Sequence, residues 1–167
     1  MFELKPLPVE AFPRALDKAD TYRLLNEPWE AESICLDVLA IEPDHQRALR
    51  TLLLALTDQF EHGLGEQEAR ARAVVPRLQN PYEREYYAAI IAERRGKAHL
   101  RQGRPGAGPF AYQAFREAMT GYERAEALRT TDSDDPVLRW NACARVLNGH
   151  PHLAPGPEPD HLPHFGE

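Results

Sequence analysis

Apolar positions recur at intervals of three and four residues along most of this chain, the spacing that lines one face of an α-helix. Ala15, Leu16, Ala19 and Tyr22 give the first stripe, in a helix expected from Pro13 to Asn26. Ala31, Ile34, Cys35, Val38 and Leu39 give the second, from Pro28 to Ile41. Leu49, Leu52, Leu53 and Leu56 give the third, which starts near His45. His62 to Gly65 reads as a turn, followed by a fourth helix from Glu66 to Gln79 with Ala71, Val74, Val75 and Leu78 on its apolar side. Pro76 should bend that helix or end it early, because proline lacks the N–H and crowds the preceding turn. A fifth helix runs from Tyr82 to Arg101 over Tyr86, Tyr87, Ile90 and Ile91. Gly103 to Pro109 reads as a loop, and a sixth helix from Phe110 to Arg129 carries Tyr112, Phe115, Met119 and Tyr122. A seventh, from Pro136 to Leu147, has Asp135 as its expected N-cap. No stretch alternates with the period of two that marks a strand.

Punctuation between these segments is short. Such connections favour antiparallel neighbours, so the pattern predicts an all-α fold of helical hairpins. Residues 1–12 read as an N-terminal extension, 13–148 as the helical domain, and 149–167 as a flexible tail rich in Pro, Gly and His. With 167 residues, one domain with a substantial core is expected.

Composition narrows the function classes. A net charge of −6 disfavours general binding to phosphate backbones. No apolar run approaches the roughly 20 residues of a membrane-spanning helix. The opening MFELKPLPVEAFPR lacks the apolar run of a secretory signal. The two cysteines, Cys35 and Cys143, sit in helical apolar patterns and read as reduced core thiols. A cytoplasmic protein with no cofactor is the expectation.

Catalytic sets are not evident. The two serines, Ser33 and Ser133, lie in a helix and a polar turn, outside any nucleophile elbow. The loop Gly103 to Pro109 lacks the Gly-Lys-Ser/Thr ending of a phosphate-binding loop. Asp132, Asp134 and Asp135 lack the Gly and distal Glu of a calcium loop. Glu83, Glu85 and Glu93 interleave with arginines and read as a solvated face. One local anomaly stands out in this acidic chain. Arg94, Arg95, Lys97, Arg101 and Arg104 follow one another without an intervening acid. They are either cations complementing a helix C-terminus or a patch for an acidic partner.

The breaks at Pro43 and Pro81 lie 38 residues apart, and the first, third and fifth helices begin at comparable intervals, near the roughly 34 residues of a tetratricopeptide unit. Ala19 with Tyr22, then Ala31, then Pro43 resemble the small-aromatic, alanine and proline positions of that family. Leu49, Leu52, Leu56 and Ala69 resemble a second, more degenerate unit. Tyr122 with Ala125, and Trp140, Cys143, Ala144 and Leu147, resemble the end of one unit and the start of another. Lys18, Leu53 and Pro76 depart from the pattern.

The resemblance implies a right-handed superhelix of about three antiparallel hairpins with a C-terminal capping helix. It also implies a non-enzymatic adaptor or scaffold that holds a peptide or partner protein in a concave groove. In peptide-binding members, Asn and basic side chains of the first helices line that groove. Here Asn141 and the flanking Arg139 and Arg145 are the corresponding candidates, and Arg94 and Arg95 of the acid-free run join them as expected groove contacts. Two alternatives remain open. His150, His152, His161 and His164 have spacings able to hold a metal. The aromatics Tyr82, Tyr86, Phe110 and Tyr112 could instead cover the surface of an oligomer or larger complex.

Overall fold

The computed structural model describes residues 2–103 and 105–155. Among them are seven α-helices and no strand: α1 Phe12–Leu24, α2 Pro28–Ile41, α3 Gln46–Asp58, α4 Phe60–Val74, α5 Pro81–Gln102, α6 Ala107–Leu128 and α7 Asp135–Gly149. Short 3-10 turns flank them at Val9–Ala11, Val75–Arg77 and Pro151–Leu153.

Local chemistry sets most of the boundaries. Proline occupies the first turn of α1, α2, α5 and α7, where a missing N–H costs no helical bond. His45 caps α3, its Nδ1 accepting from the Ala48 N–H at 3.2 Å, and Asn80 caps α5 through the Tyr82 N–H at 2.9 Å. Pro76 ends α4 as expected, and the chain tightens into the turn at Val75–Arg77.

Three boundaries differ from the sequence reading. The bend expected at His62–Gly65 is spread out. It begins at the single residue Gln59 between α3 and α4 and finishes at Gly63, whose backbone leaves helical geometry within α4. The loop expected through Pro109 is shorter. Gly103 and Gly106 take the left-handed conformations that reverse the chain, and Ala107, Gly108 and Pro109 already form the first turn of α6. Helix α7 begins one residue early, at Asp135, whose N–H is taken by Ser133 Oγ at 3.4 Å rather than by an aspartate cap.

Each helix packs on its neighbours in the chain, and α1 also meets α3, as α3 meets α5. Helices α1, α3 and α5 therefore lie side by side as an odd layer, which α7 joins through the Arg139–Glu93 pair, while α2, α4 and α6 are linked as an even layer by the Arg70–Glu32 and Arg72–Glu117 pairs. Two apolar cores fill the space between. One gathers Phe12, Leu16, Leu49, Leu53, Leu56 and Phe60, the other Ile90, Phe115, Met119, Tyr122 and Cys143. Leu54 and Tyr87 touch both. Ala69, matched above to an alanine of the repeat, is exposed, and the neighbouring Ala71 is the buried small residue of α4.

The longest contact is between α5 and α6, and the aromatic stripe does not explain it. Ala111, Ala114, Ala118, Gly121 and Ala125 are all buried along α6. A Cβ on Gly121 would lie 2.8 Å from the Ala89 Cβ, and one on Gly96 would lie 3.0 Å from the Phe115 ring. Small residues bring these two backbones close and lengthen the contact.

Candidate functional site

Ion pairs link helices within each layer, and they determine which candidate residues come together. On the odd layer, Arg47 of α3 reaches Asp17 and Asp20 of α1 at 2.6 and 3.0 Å, and Arg50 reaches Glu83 of α5 at 3.0 Å. On the even side, Arg70 of α4 pairs with Glu32 of α2, and Arg72 spans to Glu117 of α6 at 3.1 Å.

Two adjoining cavities open on the odd layer. The first, of about 250 Å³, is floored by Thr57, Phe60 and Ala98 and walled by Arg94, Lys97 and Arg139. The second, of about 340 Å³, reaches Arg23, Asn26 and His62. They share Asp58, Glu61, Arg94 and Arg101, so together they form one basin lined by α1, α3, α5 and α7 and by the first turn of α4.

Every cation of this basin is tied to a carboxylate. Asp58 receives Arg23 Nε at 2.8 Å on one oxygen and Arg94 Nη1 on the other, joining α1, α3 and α5. Arg101, 69% exposed at its side chain, pairs with Glu61. Lys97 and Arg139 share Glu93, with Arg139 Nη1 at 3.0 Å.

Glu93 is the one charged residue that is buried among the described residues. It is 1% exposed and accepts from the Tyr122 hydroxyl as well as from Lys97 and Arg139. Arg139 Nε also donates to the Tyr86 hydroxyl at 3.1 Å. Burial pushes the Glu93 carboxyl up, but hydrogen bonds from Lys97 and Tyr122 and the charges of Lys97 and Arg139 outweigh it, so it lies below its ordinary value. Burial and the adjacent Glu93 carboxylate both push the Tyr122 phenol up. Burial lowers Arg139, and the Glu93 charge more than restores it, so the guanidinium is held firmly charged. The expectation that Glu93 belongs to a solvated face is thus overturned. Glu93 follows Tyr86 and Ile90 on the buried stripe of α5, with Tyr122 of α6 opposite.

The candidate residues separate accordingly. Arg94 and Arg139 line the basin, joined by Lys97 and Arg101 of the acid-free run. Arg95 does not. One position along the helix turns it to the even side, where it bridges Glu68 of α4 at 2.9 Å and Glu117 of α6. Asn141 is half-buried, Arg145 is exposed, and neither lines the basin. Arg23, Asp58 and Glu61 were not singled out from the sequence, because their partners lie on other helices. Arg104 lies outside the described residues.

The histidine candidates divide too. The rings of His150 and His152 meet edge to face with centroids 5.8 Å apart. No group of three or more metal-ligating side chains occurs among the described residues, and His161 and His164 lie outside them. Just beyond, Leu153 is buried against Gly108 at the start of α6. Of the aromatics considered for an outer surface, Tyr82, Tyr86 and Tyr112 are half-buried by their own chain, whereas Phe110 is 61% exposed.

Both cysteines are buried and unpaired, and burial pushes each thiol up to about 12, which keeps it protonated and unreactive. No helix among the described residues is long and apolar enough to cross a membrane. Comparison with family models, with curated proteins and with solved structures finds no match for the chain.

Proposed function

We propose that this chain is a non-enzymatic interaction module of tetratricopeptide-like design, holding a peptide or partner segment against its odd layer of helices. The observation that carries this reading is the basin, where two cavities share Arg94 and Arg101 and collect side chains from four odd-numbered helices and the first turn of α4. Paired helices in two layers, with Ala19 and Ala31 fully buried and Pro43 between α2 and α3, support the repeat design. A superhelix built this way leaves one layer open as a docking surface.

The titratable groups support a binding role rather than a reaction. Glu93 is locked into ion pairs, and the two thiols are sealed in the cores. Nothing in the basin combines a nucleophile with a base held within reach of it.

Selection from a displayed peptide library tests the proposal. A peptide family should be enriched by the purified chain and lost when Arg101 is replaced by Glu. Failure to enrich any family, or enrichment indifferent to R101E, would overturn it.

A further inference from the structure

We infer that the basin receives a phosphate monoester carried on a partner peptide. The inference rests on the basin being the binding surface, and it names the chemistry recognised there.

Charge stoichiometry is the first argument. Asp58 serves two cations, Arg23 and Arg94, and Glu93 serves two more, Lys97 and Arg139, while Arg101 has Glu61 to itself. Five cations therefore face three carboxylates, leaving two positive charges over in a chain whose net charge is −6. A phosphate monoester carries about −1.5 to −2 at neutral pH and matches that surplus. A single carboxylate leaves about half of it unmatched.

Donor geometry is the second. Arg23 commits Nε and Arg94 commits Nη1 to Asp58, so neither guanidinium closes its fork on that carboxylate. Guanidinium forks arriving from different helices suit the several acceptor oxygens of a tetrahedral oxyanion. The third argument is the floor. Phe60 and Ala98 are buried apolar residues that lie beside Thr57 beneath the cations, and their low-dielectric bulk strengthens attraction to an anion. At about 250 Å³ the first cavity has room for a phosphorylated side chain with water around it.

Calorimetric titration of the full chain with inorganic phosphate at fixed ionic strength tests the recognition. Saturable binding is expected, weakened about tenfold by Arg94→Gln and by Arg101→Gln, the equivalent of about 1.4 kcal/mol. Arg124→Gln, which touches only Glu85 outside the basin, should leave it unchanged. Arg101 is mostly exposed, so R101Q keeps the test valid even if R94Q loosens the helices; circular dichroism checks both. Unsaturable binding, equal weakening by R124Q, or acetate binding as tightly as phosphate would each overturn the inference.

The peptide selection supplies the source. Phosphorylated members should be enriched over their unphosphorylated counterparts. Equal enrichment defeats the phosphate reading and leaves the peptide-binding reading standing, whereas enrichment of nothing defeats both.

Discussion

Replacing Glu93 with alanine tests how much of this fold depends on one buried carboxylate. The side chain is 1% exposed and holds three donors from three different residues. Its removal leaves the Tyr122 hydroxyl, inside a fully buried residue, without its acceptor, which costs about 1–3 kcal/mol. Arg139 and Lys97 keep partial access to water and can rehydrate, so their share is smaller. The vacated volume adds a modest packing loss. The total is about 3–5 kcal/mol, the range for breaking a buried ion pair from one side.

Urea unfolding at pH 7, followed by circular dichroism, reads the change as a lower midpoint with an unaltered slope. Glu93→Gln keeps the shape and one acceptor, so it should cost less, about 1.5–3 kcal/mol for a charged hydrogen bond. Glu93→Leu combined with Tyr122→Phe should recover part of the loss of Glu93→Leu alone, because the orphaned hydroxyl goes as well. A cost below about 1 kcal/mol for E93A, typical of a surface substitution, would refute the reasoning.

The same carboxylate sets an acid limit. Its folded value lies below the ordinary 4.5, so the unfolded chain takes up the proton first as pH falls. Stability contributed by Glu93 is complete above the ordinary 4.5 and is lost as pH falls from there through the lower folded value, and E93Q should flatten the acid limb of a stability–pH curve. The thiols set an alkaline limit of opposite sign. Cys35 and Cys143 rise from 9.0 to about 12 on folding, so their contribution is complete below pH 9 and declines towards 12. Both should resist Ellman's reagent in the folded chain and react at once in denaturant, and prompt native labelling would contradict their burial. Gly121→Ala gains about 1 kcal/mol of helix propensity but drives its Cβ to 2.8 Å from that of Ala89. A net destabilisation of about 1–3 kcal/mol is expected in thermal or urea unfolding. Gly65→Ala, with nothing within 4 Å, should be neutral or stabilising in the same assays.

Periodicity made the helices legible because the same three-and-four spacing that buries a stripe also identifies it. Leu49, Leu53 and Leu56 are each at most 1% exposed, as their spacing requires. Breaks were legible where a single residue forces them, at Pro43 and at Pro76. They were not legible where geometry is shared. Ala107, Gly108 and Pro109 look like loop by composition, yet the left-handed Gly103 and Gly106 complete the reversal before them and leave them free to start α6. The alanine and glycine stripe of α6 escaped notice for a related reason. Hydrophobic weight points to Phe115, Met119 and Tyr122, whereas the closeness of α5 to α6 depends on Gly121, where there is no side chain at all.

The basin was half legible, and the missing half is instructive. An acid-free run of cations in an acidic chain is a local signal, and Arg94, Lys97 and Arg101 of that run line the basin. What it could not supply is the partner of each cation, because ion pairing here acts across helices. Arg94 meets Asp58 36 positions away, and Arg139 meets Glu93 46 positions away. Direction was equally hidden. Arg94 and Arg95 are neighbours in sequence, yet about 100° of helical rotation sends one into the basin and the other to Glu68 and Glu117 on the opposite layer. Glu93 alone carried a readable sign, since it extends the Tyr86 and Ile90 stripe that must be buried, and a carboxylate there must find cations. Arg139 and Lys97 meet that requirement by converging on it from the cavity wall, so the group that fixes α7 to the α5–α6 pair also sets the charge of the surface above it. In this molecule one buried residue contributes both to the anchoring of the last helix and to the electrostatics of the basin.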